Sequence, residues 1–183
     1  MAFNVTNFAS VIATKGLASS NKFEVSIHFP TGLRKQSLDL MCESVSIEGK
    51  SINTTADRQY GITREVAYAA PVYNPITLSF YCTEKLEEKK KLDAWQILCV
   101  RTNNITTGEV GTFDVGYYDE YTKKSKIIVT KLDTSGIKVF SIEYVEAYPK
   151  SIASIELSHA VAAGPMKVSA VFNYSYWKDT TSN

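Results

Sequence analysis

Along residues 22–29 apolar and polar side chains alternate. Phe23, Val25, Ile27 and Phe29 point one way and Glu24, Ser26 and His28 the other. Period two marks a half-buried strand, and Pro30-Thr31-Gly32 stops it. The same alternation returns at Ile76, Leu78, Phe80 and Cys82. It returns again over 167–177, where Val168, Ala170, Phe172, Tyr174 and Tyr176 predict one long final strand. Residues 125–132 and 137–145 flank Asp133-Thr134-Ser135-Gly136, a good hairpin turn, and Pro149 is expected to close that pair. Over 36–47, Leu38, Leu40 and Cys42 share a face, then Val45 and Ile47 continue it one residue out of phase, which predicts a bulged strand.

Other stretches break the period. Glu48-Gly49-Lys50 is turn chemistry, and 51–59 is polar, so 46–60 reads as an extended hairpin or loop arm. Residues 60–70 read as extended, with Val66, Tyr68 and Ala70 in phase; 151–158 reads as a short strand or a helical turn. A helix is predicted over 83–101: Thr83 can cap it, Glu84, Glu87 and Glu88 suit its N-terminal dipole, and Leu92, Trp95 and Cys99 share its core face. Its run Glu87-Glu88-Lys89-Lys90-Lys91 reads as a solvated face. Phe8, Val11 and Ile12 stand at helical spacing before Gly16, so residues 1–20 read as a short helix or a loose N-terminal arm. Residues 104–116 read as a loop and 178–183 as a polar C-terminal tail. The sum is about seven or eight strands and one helix, an α+β chain that is mainly antiparallel.

Composition narrows the function. At 183 residues the chain fits about one domain, and with 44% hydrophobic and 21% charged residues it can bury a core. Its net charge of +1 argues against holding DNA through an overall field. No apolar run approaches a membrane span, and residues 1–20 lack the pattern of a signal peptide. Cys42, Cys82 and Cys99 therefore read as reduced core thiols, and the sequons at Asn4, Asn53, Asn104 and Asn173 as chance matches.

Catalytic chemistry has no positive support. Nucleophile-elbow and phosphate-loop motifs are absent, and Gly108, Gly111 and Gly116 follow no strand that feeds a helix. His28 and His159 lie far apart and far from the cysteines, so no metal or cofactor is expected; His28 reads as a surface or subunit-contact residue. The pairs Asp119-Glu120 and Glu87-Glu88 are flanked by lysines and read as solvated. Strands that mix Tyr, Thr, Ser and Ala with Val and Phe suit sheets that meet neighbouring subunits, although ordinary loops and frayed ends would look similar.

The order of these elements resembles the tail tube proteins of contractile-tailed, T4-like bacteriophages, within a wider tube and Hcp-like superfamily. The residues that carry the likeness begin with Asn21, Phe23, Val25 and Ile27, then Cys42-Glu43-Ser44-Val45 leading into a hairpin that ends near Asp57-Arg58. Asp93, Trp95 and Gln96 followed by Asn104-Ile105-Thr106 and Gly108 continue it, as do Tyr148-Pro149 and the closing 172–177 with Tyr176-Trp177. The likeness spans about residues 8–177; the 108–126 loop differs in detail, and 179–183 extends past the usual end.

The resemblance implies a single domain over 1–183, a small β-barrel or sandwich with one flanking helix. It implies hexameric rings stacked into a tube in the virion, assembled in the host cytoplasm. The expected partners are the tail sheath, tape measure, baseplate and tail terminator proteins, with viral DNA passing through the lumen. No membrane anchor, no cofactor and no enzymatic step are implied. The alternatives are a tube subunit of a type VI secretion or extracellular injection system, a baseplate tube initiator, or a monomeric β-sandwich binding module. Within the tube reading, Glu48, Gly49, Lys50, Asp57, Arg58 and Phe8 are the candidate ring-to-ring contacts.

Overall fold

The computed structural model describes residues 1–183 apart from 1–4, 32, 34–37, 39–40, 59–60, 102–112, 159–163 and 182–183, and apart from the side chains of 5–8 and 15. In chain order it runs α1 (Val5–Lys15), β1 (Phe23–His28), β2 (Cys42–Val45), β3 (Lys50–Ser51), β4 (Thr54–Asp57), β5 (Arg64–Ala67) and β6 (Val72–Tyr73). Then come β7 (Ile76–Tyr81), α2 (Glu87–Cys99), β8 (Val100–Arg101), β9 (Asp114–Val115) and α3 (Tyr118–Thr122). The chain ends with β10 (Lys126–Leu132), β11 (Lys138–Val145), β12 (Tyr148–Ile152), β13 (Lys167–Asn173) and β14 (Tyr176–Asp179).

Two four-stranded antiparallel sheets make the body. Sheet A is ordered β1-β10-β11-β14 and sheet B β12-β13-β7-β2. Their alternating apolar positions meet in one core. Val25, Ile27, Ile127, Val129, Ile142 and Tyr144 come from sheet A, and Ile76, Leu78, Phe80, Val168, Ala170 and Phe172 from sheet B. The sheets cross. Cys42 borders one groove with Val25 and Ser26, Val45 and Ile47 border another with Val129 and Lys131, and Lys50 reaches Trp177. The stretch 42–50 thus runs along sheet A from β1 and β10 to β14.

Helix α2 closes one end. Leu92 and Trp95 are fully buried, and Trp95 packs on Phe29 (centroids 5.1 Å) and Phe172 (5.9 Å) while its Nε1 donates to the Tyr121 carbonyl at 3.0 Å. The helix begins four residues later than predicted because 84–85 form a turn and Leu86 is left-handed, with φ 53°. Leu86, not Thr83, is the N-cap residue and it makes no side-chain cap bond; from just before the helix the Thr83 Oγ1 accepts from the Glu87 N–H, and its own N–H and hydroxyl donate to the Glu88 carboxylate. Glu88 is therefore buried, not part of a solvated run.

Several sequence expectations change. Among the described residues there are three helices, not one, and fourteen strands. Of the others, α1 bears out the short-helix reading of 1–20 and ends at Gly16, φ 70°, whose N–H bonds the Ile12 carbonyl, while the short α3 lies inside a stretch read as loop. Pro149 does not close a hairpin; it lies inside β12 opposite Phe172, with a bulge before Ser151. The long final strand is two. After Asn173 the chain turns through Tyr174 and Ser175 and crosses from sheet B to sheet A as β14. Lys178 and Asp179, placed in the tail by sequence, belong to β14. The bulge near Cys42–Ser44 is present, but the strand is shorter than 36–47, of which 36–37 and 39–40 lie outside the described residues.

Candidate assembly surfaces

The two border strands of sheet A are β1 and β14. Its four strands alternate in direction, so β1 and β14 run opposite ways, and a second copy placed beside the sheet continues it antiparallel. Sheet B shares the even count, but at its β12 border Gln96 Nε2 already donates to the Lys150 carbonyl at 3.4 Å. Sheet borders invite pairing unless they are covered, and β1 and β14 are the borders of sheet A.

The face of sheet A turned away from the core is mainly polar, with Ile128 and Val145 set among hydroxyl and charged groups that pair with one another. The Thr130 and Ser141 hydroxyls bond at 3.2 Å, and the Thr180 hydroxyl donates to that of Ser141 at 3.2 Å. One row on, Glu143 sits between Lys126 at 3.4 Å and Lys178 at 3.5 Å. Glu24 pairs with Lys138 at 3.8 Å. The exposed Glu24–Lys138 pair contributes at most about 1 kcal/mol, while Glu143, largely covered, is matched by two lysines.

From β2 and β7 a double-tiered ribbon projects. Lys50 and Ser51 pair with Tyr73 and Val72, and Thr54 to Asp57 pair with Ala67 to Arg64. Every residue of β4 and β5 is exposed, and Ile52, Ile62, Val66, Tyr68 and Val72 carry apolar groups into solvent. Its root is clamped to the body. Tyr174 stacks edge-on with Tyr144 (4.8 Å) and tilted on Tyr73 (5.9 Å), and its hydroxyl donates to the Asn74 carbonyl at 2.8 Å. Burial, with Tyr144, Glu48 and Tyr73 nearby, pushes the Tyr174 phenol up to about 12.

The sequence-derived contact residues do not form one cluster. Glu48, Gly49 and Lys50 sit at the root of the ribbon; Asp57 lies opposite Arg64 near its far end, with exposed Arg58 next to it. Seven extended residues at about 3.3 Å each separate Lys50 from Asp57, roughly 23 Å. Phe8 lies in α1, and its side chain is outside the described residues, as is His159. Two further apolar clusters escaped the sequence reading: Ile137, Val139 and Phe140 beside the β10–β11 turn, and Phe113, Val115 and Tyr117 around β9. Tyr117-Tyr118 directly after a glycine was the available signal for the second.

The thiols are shielded. Burial pushes Cys42 up to about 12 and Cys99 up to about 11, so neither is a ready nucleophile. No cluster of His, Cys, Asp and Glu among the described residues could hold a metal, and no described helix is long and apolar enough to cross a membrane.

The family model for phage tail tube proteins matches residues 18–180. The chain belongs to the phage tail tube protein family. It is a structural tail tube subunit, a component of a tail. Solved structures share the fold. A chain of the sheath–tube complex of an extracellular contractile injection system, PVC, in its extended state matches with TM-score 0.60 at 14% identity, over 99% of this tail tube protein and all of that chain. A chain of the anti-feeding prophage tube-terminating cap matches with TM-score 0.62 at 14% identity, covering 91% and 92%. One from the anti-feeding prophage baseplate gives 0.59 at 10%, covering 90% and 96%. No curated protein matches the tail tube chain in sequence.

Proposed function

We propose that six copies of this chain, each a single tube domain, close into a ring by joining β14 of one sheet A to β1 of the next. Rings then stack into the hollow tube of a contractile tail. The observation that carries this reading is sheet A itself: an even number of antiparallel strands whose two border strands run in opposite directions, and an outer face whose hydroxyls and charges satisfy one another. Six four-stranded sheets make a 24-stranded barrel. At about 4.8 Å between strands and a tilt near 40°, its backbone is about 48 Å across, leaving a bore of roughly 35–40 Å inside the side chains. Lined by Thr130, Ser141, Thr180 and the Lys126–Glu143–Lys178 row, that bore would admit a DNA duplex without gripping it.

The action is mechanical, with no bond made or broken and no cofactor. The partners of this reading are the tail sheath outside, the tape measure protein and then viral DNA inside, and baseplate and terminator proteins at the two ends. The protein would assemble in the host cytoplasm and reside in the virion. The exposed ribbon supports a further contact. A two-stranded hairpin is marginal alone, and this one carries apolar side chains on its surface, so it lies on an adjacent copy, with Asp57 and Arg58 at the contact, Glu48, Gly49 and Lys50 at its root, and Phe8 of α1 as a further candidate contact. The shared fold of chains from a sheath–tube complex, a tube-terminating cap and a baseplate favours a contractile setting, in which an injection particle is the second reading.

Cryo-electron microscopy of the assembled protein tests the proposal. It should show a 24-stranded barrel with Thr130 and Glu143 facing the bore. A bore lined by the outer face of sheet B would refute the assignment of sheet A.

A further inference from the structure

The strands of sheet A end in two apolar clusters that the barrel does not use. At one end, beside the 133–136 turn, Ile137 is 66% and Val139 55% exposed. At the other end, where α3 leads directly into β10, Phe113 is 71%, Val115 62% and Tyr117 82% exposed. β10 itself separates them, seven residues or roughly 24 Å at about 3.4 Å per residue.

The second cluster is built rigidly. A Cβ on Gly116 would lie 2.5 Å from the Leu98 carbonyl oxygen, so the β8–β9 ribbon is pressed against α2 as only glycine allows. The Gly116 N–H bonds the Cys99 carbonyl at 3.0 Å, and Arg101 ties the ribbon to Asp114 (3.6 Å) and to Glu120 of α3 (3.0 Å). Fixed apolar surface facing water marks a contact site.

Barrel strands tilt 35–45° from the axis, so their two ends point to opposite rims of the ring. Head-to-tail stacking needs two different, complementary rims. The clusters meet that need, and the charges beside them are complementary. Asp133 is exposed at the turn and Lys123 and Lys124 are exposed after α3, and none of the three forms an ion pair among the described residues.

We propose that the β10–β11 turn of a subunit in one ring docks on the β9–α3 surface of a subunit in the next. Ile137 and Val139 pack on Phe113, Val115 and Tyr117, and Asp133 faces Lys123 and Lys124. The proposal rests on the tube reading, and adds to the projecting ribbon a second contact between copies.

Val139→Glu and Tyr117→Glu, made separately in the full chain, test it by negative-stain imaging and sedimentation. Each should keep wild-type rings and an unchanged melting temperature but cut the stacked fraction at least tenfold. Asp133→Lys should shorten tubes, and adding Lys123→Glu with Lys124→Glu should restore them. Tubes of wild-type length in both glutamate variants would overturn the proposal, as would loss of the rings themselves, which would place these residues in lateral contacts. Ile137→Asn gives the same readout should Val139→Glu fail to fold. If the wild-type chain forms neither rings nor tubes, the tube reading fails first and takes this one with it.

Discussion

The Lys50 ammonium lies 5.5 Å from the centre of the Trp177 ring, while the Nε1 of Trp177 is buried without a hydrogen-bond partner among the described residues. The ring thus holds the root of the projecting ribbon to sheet A and carries an orphan donor in the same place. Trp177→Phe keeps a ring beneath Lys50 and removes the unpaired N–H, whose burial costs about 1–3 kcal/mol. Its melting temperature is expected to equal or exceed that of the wild type. Trp177→Leu also loses the cation–π contact, about 0.5–1 kcal/mol, and should speed amide exchange across 50–73. A drop of several degrees in Trp177→Phe would show that the indole N–H is bonded after all.

Trp95 bridges α2, Phe29 and Phe172 and donates to the Tyr121 carbonyl. Trp95→Ala should cost about 3–5 kcal/mol, read as a lower urea midpoint. Trp95→Phe should cost less, because it forfeits the hydrogen bond and part of the packing. Equal losses in the two variants would mean that the hydrogen bond to α3 dominates.

The body of the fold was legible because its strands bury one face. Phe23 to Ile27, Ile76 to Phe80 and Val168 to Phe172 alternate in sequence and in burial alike. The break at Tyr174-Ser175 was not legible. Tyr174 and Tyr176 keep the alternating phase, and only the crossing of the sheets decides that the chain must change layer. Pro149 misled in the other direction: a border strand tolerates a residue without an N–H. Glu88 looked like one more charge on a wet helix until Leu86 turned left-handed and brought Thr83 over it. For the assembly surfaces, charge at Glu48, Lys50, Asp57 and Arg58 drew attention to the ribbon. The apolar groups at Ile137, Val139 and Val115 looked like ordinary core positions, because exposure at a strand end leaves no trace in periodicity.

Glu88 makes stability depend on acid. Burial pushes its carboxyl up, but bonds from the Thr83 N–H, its own N–H and the Thr83 hydroxyl, with the Lys91 charge, hold it below the ordinary range. A carboxyl depressed in the folded state adds stability that is complete above its unfolded value, about 4.3, and is lost as pH falls through the folded value. Glu88→Gln should therefore be less stable than the wild type at neutral pH, with the gap closing toward pH ~3. Urea midpoints at the two pH values measure it. A gap that stays constant would mean that Glu88 acts through packing alone.

Replacing 53–70 with a two-residue Asn-Gly turn removes the outer tier of the ribbon and leaves the Lys50–Tyr73 and Ser51–Val72 pairs to close it. The shortened protein should stay folded, since no core residue lies in that stretch among the described residues, and should lose ordered association between copies. Circular dichroism checks the first point and sedimentation the second. Tubes of normal length from this variant would remove the ribbon from the contacts.

Negative-stain electron microscopy of the purified full chain bears most directly on whether sheet A is finished by identical neighbours. Subunits with a radius of gyration of about 16 Å, arranged six to a ring, should give hollow rings or tubes roughly 80–100 Å wide with a central hole. A population of single, separate subunits at high concentration, with no rings and no tubes, would contradict the account.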